Sequence, residues 1–213
     1  MLFSGRDIWR NGAFAYSGLL IAPRGFEEDG FMLKLLMAGG LYRYYAGTLA
    51  QDIIAAEWSV QVMPGFRIKR GNTEMKFFFG PEWQTHRLWP DDTGNRQRGY
   101  NAGLRMVGEL WYERTPTTLI VGDASFSSIA TSHSARLGYG WRVADQIFSE
   151  GFYTGPEVQY FGSDGYRQWR FGIHITSLKA DAIEWSAAGG IARDSDGRSS
   201  PYVRLNMALK IMD

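Results

Sequence analysis

The chain has 213 residues, and 23 Lys+Arg against 22 Asp+Glu leave a net charge of +1, too little to gather nucleic acid, which is excluded as a partner. It contains no cysteine, so disulfide frameworks, thiolate metal sites and cysteine nucleophiles are all ruled out. Aromatics reach 15% beside 26 Gly, as in belts of rings on closely packed sheet, and no apolar run reaches the roughly 18 residues of a membrane-spanning helix.

The opening Met1-Leu2-Phe3-Ser4-Gly5-Arg6-Asp7 lacks the basic and apolar regions of a secretory signal. The expectation is a mature form whose leader has been removed, with a cytosolic chain as the alternative. Residues Leu2 to Arg10 alternate poorly: Phe3, Gly5, Asp7 and Trp9 share a parity, and Arg6 falls on the face that should be apolar. Asn11-Gly12 supplies a hairpin turn. Ala13 to Ala22 places Phe14, Tyr16, Gly18 and Leu20 on one side, and from Phe31 an apolar register of Leu33, Leu35, Met37 and Leu41 runs opposite Lys34, Tyr42 and Tyr44.

Between Asp52 and Arg70 the even positions Ile54, Trp58, Val60, Val62 and Phe66 oppose Glu57, Ser59, Gln61, Arg67 and Lys69. Gly71-Asn72 closes that hairpin, and Thr73 to Leu88 sets Met75, Phe77, Phe79 and Trp83 against Glu74, Lys76, Glu82, Gln84 and His86. A helix would scatter those charges all round, whereas a strand sorts them. After Trp89 to Gln97, Tyr100 to Tyr112 carries an apolar stripe between two Tyr, as two membrane interfaces select. Shorter alternating segments follow at Thr117 to Ser128, Ser132 to Val143 and Ile147 to Phe161. Tyr166 to Leu178 is the clearest strand, with Trp169, Phe171, Ile173 and Ile175 against Gln168, Arg170, His174 and Thr176. Ala182 to Ala192 and Tyr202 to Ile211 complete the pattern.

About twelve alternating segments, an even number, predict one domain over residues 1–213: an all-β, closed antiparallel outer-membrane β-barrel, charged inside and apolar toward lipid. Trp58, Phe79, Leu104, Ile173 and Leu205 are the outward markers. With a periplasmic N-terminus, the connections 89–97, 161–165 and 193–199 fall on the outer side and most short turns on the inner. The competing architecture is a soluble lipocalin-like barrel or sandwich with those residues inside, binding a small apolar ligand.

The inward register carries acids at Asp7, Glu57, Glu74, Glu82, Glu109, Asp123, Glu157 and Glu184 and bases at Lys34, Arg67, Lys76, Arg105, Arg136, Arg142, Arg170, Arg204 and Lys210. Unpaired charges in a narrow barrel are costly, so this balance predicts a mutually satisfied network that fills the lumen rather than a selective pore. Gly80, Gly138, Gly140, Gly155, Gly172 and Gly190 would make room for the long Arg chains. Within the network, Glu82, Gln84, Arg105, Glu109, Arg136, Glu157, Gln159, Arg170 and His174 are the candidate polar-ligand residues. Gly80-Pro81-Glu82 and Gly155-Pro156-Glu157 repeat one motif, which marks either a pair of acceptor sites or a bulge where proline withholds a ladder donor.

Tyr42, Tyr44, Trp111 and Tyr153 are candidate sugar-stacking aromatics. No catalytic constellation is predicted: His174-x-Thr176 has the spacing of a base and hydroxyl but lacks a Ser, and His133 and Ser134 point to opposite faces. Asp194-Ser195-Asp196-Gly197 lacks the later acids of a calcium loop and reads as a turn, so neither metal nor cofactor is expected.

The chain resembles the cellulose biosynthesis protein BcsS family along nearly its whole length. The resemblance rests on Gly5-Arg6-Asp7-Ile8-Trp9, Pro90-Asp91-Asp92 with Gly94-Asn95, and Leu110-Trp111-Tyr112-Glu113. It continues through Gly155-Pro156-Glu157-Val158-Gln159, Tyr166-Arg167-Gln168, Gly172-Ile173-His174, Glu184-Trp185-Ser186-Ala187 and Asp194-Ser195-Asp196. It implies an outer-membrane protein with an accessory, non-catalytic role in making or exporting cellulose. Its implied surroundings are outer-membrane lipid, with cellulose or other export components as partners, and it brings no catalytic residues to transfer. The ending Lys210-Ile211-Met212-Asp213 departs from the terminal aromatic common in such barrels, so a trimmed end or a different assembly signal is expected.

Overall fold

A computed structural model describes residues 1–47, 49–143 and 151–210. The alternating segments form twelve strands: β1 Leu2–Trp9, β2 Gly12–Ile21, β3 Gly30–Ala46, β4 Gln51–Arg70, β5 Thr73–Trp89, β6 Gly99–Thr115, β7 Thr118–Ser127, β8 His133–Val143, β9 Phe152–Ser163, β10 Tyr166–Ala180, β11 Ile183–Asp194 and β12 Ser199–Leu209. Each strand pairs antiparallel with its sequence neighbour, and β1 also pairs with β12, so the sheet closes on itself and has no free edge.

Trp58, Phe79, Leu104, Ile173 and Leu205 are exposed on the outside, while Gln61, Glu82, Gln84, Glu157, Gln159 and Arg170 of the opposite register are buried in the lumen. A slip of one residue would exchange the two sets, so this sorting fixes the register of every strand. The predicted strand ends differ from the observed ones chiefly at the last strand, which begins at Ser199, because Pro201 sits in the sheet at an exposed position opposite Ile191. The predicted start at Ile147 and the chain end at Ile211 to Asp213 lie outside the described residues.

Two expectations are corrected. The connections do not sort by length between the two ends: on the side of the termini, residues 22–29 form a long segment, while 10–11 and 164–165 on the other side are tight turns. The physical reason is that residues 22–29 help to close the barrel. Phe26 packs against the inward cluster of Leu20, Met32, Met63 and Phe78, and Arg67 donates to the Phe26 carbonyl. The nearest neighbours of the lumenal glycines, in turn, are backbone and rings rather than arginine chains. Gly138 and Gly140 make the space that His174 fills, and Gly172 lies under the Tyr202 hydroxyl.

The lumen is therefore layered. Charged residues occupy the middle, the cluster around Met32 and a second one of Leu119, Val121 and Tyr153 lie toward the termini, and Ile53, Ala55 and Leu88 lie toward the other end. The two Gly-Pro motifs mark breaks in the sheet. A Cβ on Gly80 would run into the carbonyl oxygen of Val62, and one on Gly155 into that of Tyr139. The β4–β5 ladder is interrupted between Gln61↔Glu82 and Gly65↔Phe78, and the β8–β9 ladder between Gly138↔Glu157 and Trp141↔Thr154. Only glycine allows this close approach, and the proline beside each needs no ladder partner.

Candidate functional site

Glu157 is the centre of the largest polar group. From β9 it accepts from Arg204 Nη2 of β12 at 2.6 Å and from Arg136 Nη1 of β8 at 3.3 Å, and Gln159 donates to its other oxygen. Arg136 in turn donates Nε to Asp123 of β7 at 2.6 Å. Because β12 and β9 are not neighbours in the sheet, the Arg204–Glu157 bond spans the lumen.

A second group gathers on Glu82, whose side chain is fully buried. Arg105 Nε donates to it at 2.8 Å, Gln61 Nε2 at 3.1 Å, and Ser127 Oγ to the second oxygen. A third crosses the barrel from β3 to β6, where Lys34 Nζ lies 2.6 Å from Glu109 Oε1 and above the rings of Phe3 and Phe78. Lys76 and Arg67 share Glu74 at 2.8 and 2.6 Å. In the fourth, Arg170 meets Asp7 and Gln168.

The nine candidate polar residues thus fall into separate groups: Glu82 with Arg105, Glu109 with Lys34, Arg136 with Glu157 and Gln159, and Arg170 apart. Gln84 joins His86, Oε1 to Nε2 at 3.1 Å. Among the described residues, no acid hydrogen-bonds to His174. Its Nδ1 is 2.8 Å from Thr176 Oγ1, and its Nε2 is buried without a partner. Both residues are buried, so a histidine–hydroxyl pair exists without open access to it. Gln61, Ser127 and Gln168 were not singled out from the sequence. All three share the inward parity of their strands, Ser127 with Asp123, and that parity is the signal that could have found them.

The four candidate aromatics separate to opposite ends. Trp111 and Tyr153 meet edge to face at 6.3 Å on the terminus side. Tyr42 and Tyr44 stack at 6.1 Å near the other mouth, in a row continued by Phe14 and Trp9. Their hydroxyls hold the 90–98 connection: Tyr44 donates to Asp92 at 2.8 Å and accepts from Asn95 at 2.8 Å, and Gln97 reaches across to Ser163 Oγ at 3.2 Å. Outside this strap, Arg96, Asn101, Ser128, Thr131 and Asp164 border a cleft of about 260 Å³. Asp194 closes the 195–198 turn, its Oδ1 accepting the amides of Asp196 and Arg198. Among the described residues no cluster of His, Asp and Glu has the arrangement of a metal site.

Most of the inward acids thus already hold cations, and the polar groups of the 90–98 and 195–198 connections lie at one mouth. The family model described as cellulose biosynthesis protein BcsS matches residues 1–211. No curated protein matches the chain. Among solved structures, the KdgM porin in complex with disordered oligogalacturonate is similar at a TM-score of 0.55 and 9% identity, over 99% of this chain and 99% of that one. LpxR from Salmonella typhimurium gives a TM-score of 0.55 at 9% identity, over 99% and 100%. The transport unit of the autotransporter AIDA-I from Escherichia coli gives 0.50 at 11%, over 99% and 89%. At these identities the likeness shows the fold, a barrel of the outer-membrane type.

Proposed function

The chain belongs to the cellulose biosynthesis protein BcsS family, and from that membership we propose that it is an accessory barrel of the outer membrane that assists cellulose production by binding or scaffolding, without a catalytic step of its own. The observation that carries this reading is the combination of an apolar exterior with a lumen closed by paired charges. Exposed apolar side chains such as Trp58, Phe79 and Ile173 have a natural environment in lipid. Arg204–Glu157 and Lys34–Glu109 cross the lumen, which argues against passage of a glucan strand. Contact with cellulose or with other export components then falls to the mouth that carries residues 90–98 and 195–198. The KdgM complex supports this by analogy, since a barrel of similar fold takes a polysaccharide fragment.

Deleting the gene in its native host tests the proposal. The expected result is surface cellulose that is reduced or disorganised, with the complemented protein in the outer-membrane fraction. Normal cellulose in the deletion strain would overturn the process, and a protein recovered folded and monodisperse without detergent would overturn the location. A second reading, modification of glucan or lipid, is favoured by one observation, the His174–Thr176 hydrogen bond.

A further inference from the structure

Arg6 breaks the outer face of the barrel. The outward register of β1 runs Leu2, Ser4, Arg6, Ile8, and Arg6 is exposed. Its partners in register are Leu205 of β12 and Ala15 of β2. Along β12 the outward face is apolar on both sides of that level, with Val203 before Leu205 and Met207 after it. The backbone of Arg6 therefore stands at the level of the apolar belt rather than at its rim. Among the described residues none forms an ion pair or side-chain hydrogen bond with Arg6.

A charge on a lipid-facing position is disfavoured in proportion to its depth, and an ionisable group inside the membrane normally has a partner. The surface around it differs from the rest of the belt as well. Ser4, Ala15 and Ser17 stand where other strands present Trp, Phe and Leu, so another backbone can approach closely here.

We infer that the β1–β2 face docks a membrane-spanning segment of another protein, one that carries a carboxylate at the depth of Arg6. This rests on the outer-membrane reading above. Charge decides the occupant. A second copy of this chain has no acid to offer: among the described strands the outward acid is Asp52, near the start of β4, where Arg43 stands 4.0 Å away. Self-association through this face would set Arg6 against Arg6. A lipid phosphate lies at the edge of the belt, beyond Ile8 and Val203. A partner's carboxylate meets the guanidinium directly, and desolvation strengthens that pair.

The test replaces Ala15 with a photoreactive residue in the full chain, expressed in the native host, with the same probe at Leu104 on the far side of the barrel as control. Irradiation is expected to give a discrete heavier adduct from Ala15 and none from Leu104, the captured protein being an integral membrane protein. Arg6→Leu and Arg6→Glu should lower the adduct by about thirtyfold or more, as removal of one member of a desolvated pair does, and Arg6→Lys should retain part of it. Changing the partner's carboxylate to Arg should restore the adduct with Arg6→Glu. An adduct to lipid or to a second copy, a yield indifferent to Arg6→Glu, or no adduct from a barrel that is present in the outer membrane would overturn the docking face. Absence of the barrel from that membrane would overturn both the location and the docking face.

Discussion

Arg170 of β10 and Asp7 of β1 join across the lumen, with Nη1 2.8 and 2.7 Å from the two carboxylate oxygens and strands β11 and β12 between them in the sheet. The guanidinium lies over the rings of Trp9, Phe161 and Tyr202 at 4.8, 4.6 and 5.1 Å, and only 1% of the residue is exposed. The pair thus ties the first strand of the chain to a late one, beside the β1–β12 seam that closes the barrel. Asp7→Ala would leave the cation buried and uncompensated at a cost of about 3–5 kcal/mol. A lower urea midpoint of the folded, heat-modifiable form is expected, largely recovered in Asp7→Ala with Arg170→Leu. An unchanged midpoint for Asp7→Ala would show that water reaches Arg170.

Glu157 and Glu82 should behave alike for the same reason. Each is a fully buried carboxylate holding arginines, Arg204 and Arg136 in one case and Arg105 in the other. Glu157→Ala is expected to be the more severe, because two cations lose their partner, and either substitution should cost about 3–5 kcal/mol. Thermal unfolding in detergent measures this. Unchanged stability in both variants would mean that these carboxylates are free for a ligand.

The layering of the lumen predicts its conductance. The Arg204–Glu157 and Lys34–Glu109 pairs span the middle, and the Leu20, Met32, Met63 and Phe78 cluster lies toward the termini. Planar-bilayer recordings should show little current through the wild-type barrel. A large, steady conductance would overturn the closed lumen and promote a pore.

Barrel and register were legible because alternation is a local property: Trp58 against Glu57, or Ile173 against His174, declares its face without knowledge of the rest of the chain. Which charges would meet was not. Arg204 reaches Glu157 and Lys34 reaches Glu109 only because strands distant in sequence face each other across the lumen, and that depends on closure and stagger of the whole sheet. The role of residues 22–29 was hidden for a similar reason. Phe26 looks like a loop residue until the end of the barrel exists for it to cover. Four aromatics that share a parity could be grouped as one platform on paper, yet parity says nothing of height, and Trp111 and Tyr153 lie at the opposite end from Tyr42 and Tyr44.

Residues 22–29 also predict a pH effect. Glu27 Oε2 lies 3.1 Å from Lys69 Nζ, and Asp29 accepts the Lys69 amide at 2.6 Å and a bond from Arg70. The hydrogen bond from Lys69 holds the Glu27 carboxyl below its ordinary value, and the one from Arg70 does the same for Asp29. Depressed carboxylates contribute their stabilisation above the unfolded value, about 4, and lose it as the pH falls through the lower folded value. Limited proteolysis within 22–29 should therefore be flat from pH 8 to 5 and rise only below about 4. Cleavage that rises between pH 7 and 5 would show that these two carboxylates do not hold the segment.

His174 separates the two functional readings. Its ring fills the space above Gly138 and Gly140, Nδ1 bonds to Thr176, and the residue is 1% exposed, which describes a packing role in the wall of the lumen. No acid orients it, and a substrate would have to displace the lumen's contents to reach it. The connection at 195–198 is different. Asp194 preorganises it through the amides of Asp196 and Arg198, Ser195 bonds back to Arg167, and its acids lie at the same mouth as the 90–98 strap. In the deletion strain, His174→Ala is accordingly expected to restore surface cellulose, whereas replacing Asp194 to Ser199 by a Gly/Ser segment of equal length is not. Both variants need matched abundance in the outer membrane, measured in the same cells. Loss of function in the His174 variant at normal abundance would favour the enzymatic reading and make Thr176 the hydroxyl to replace next. Full restoration by the loop variant would move the binding surface to the 90–98 strap, where Tyr44→Phe would release Asp92 and Asn95 without disturbing the strand beneath.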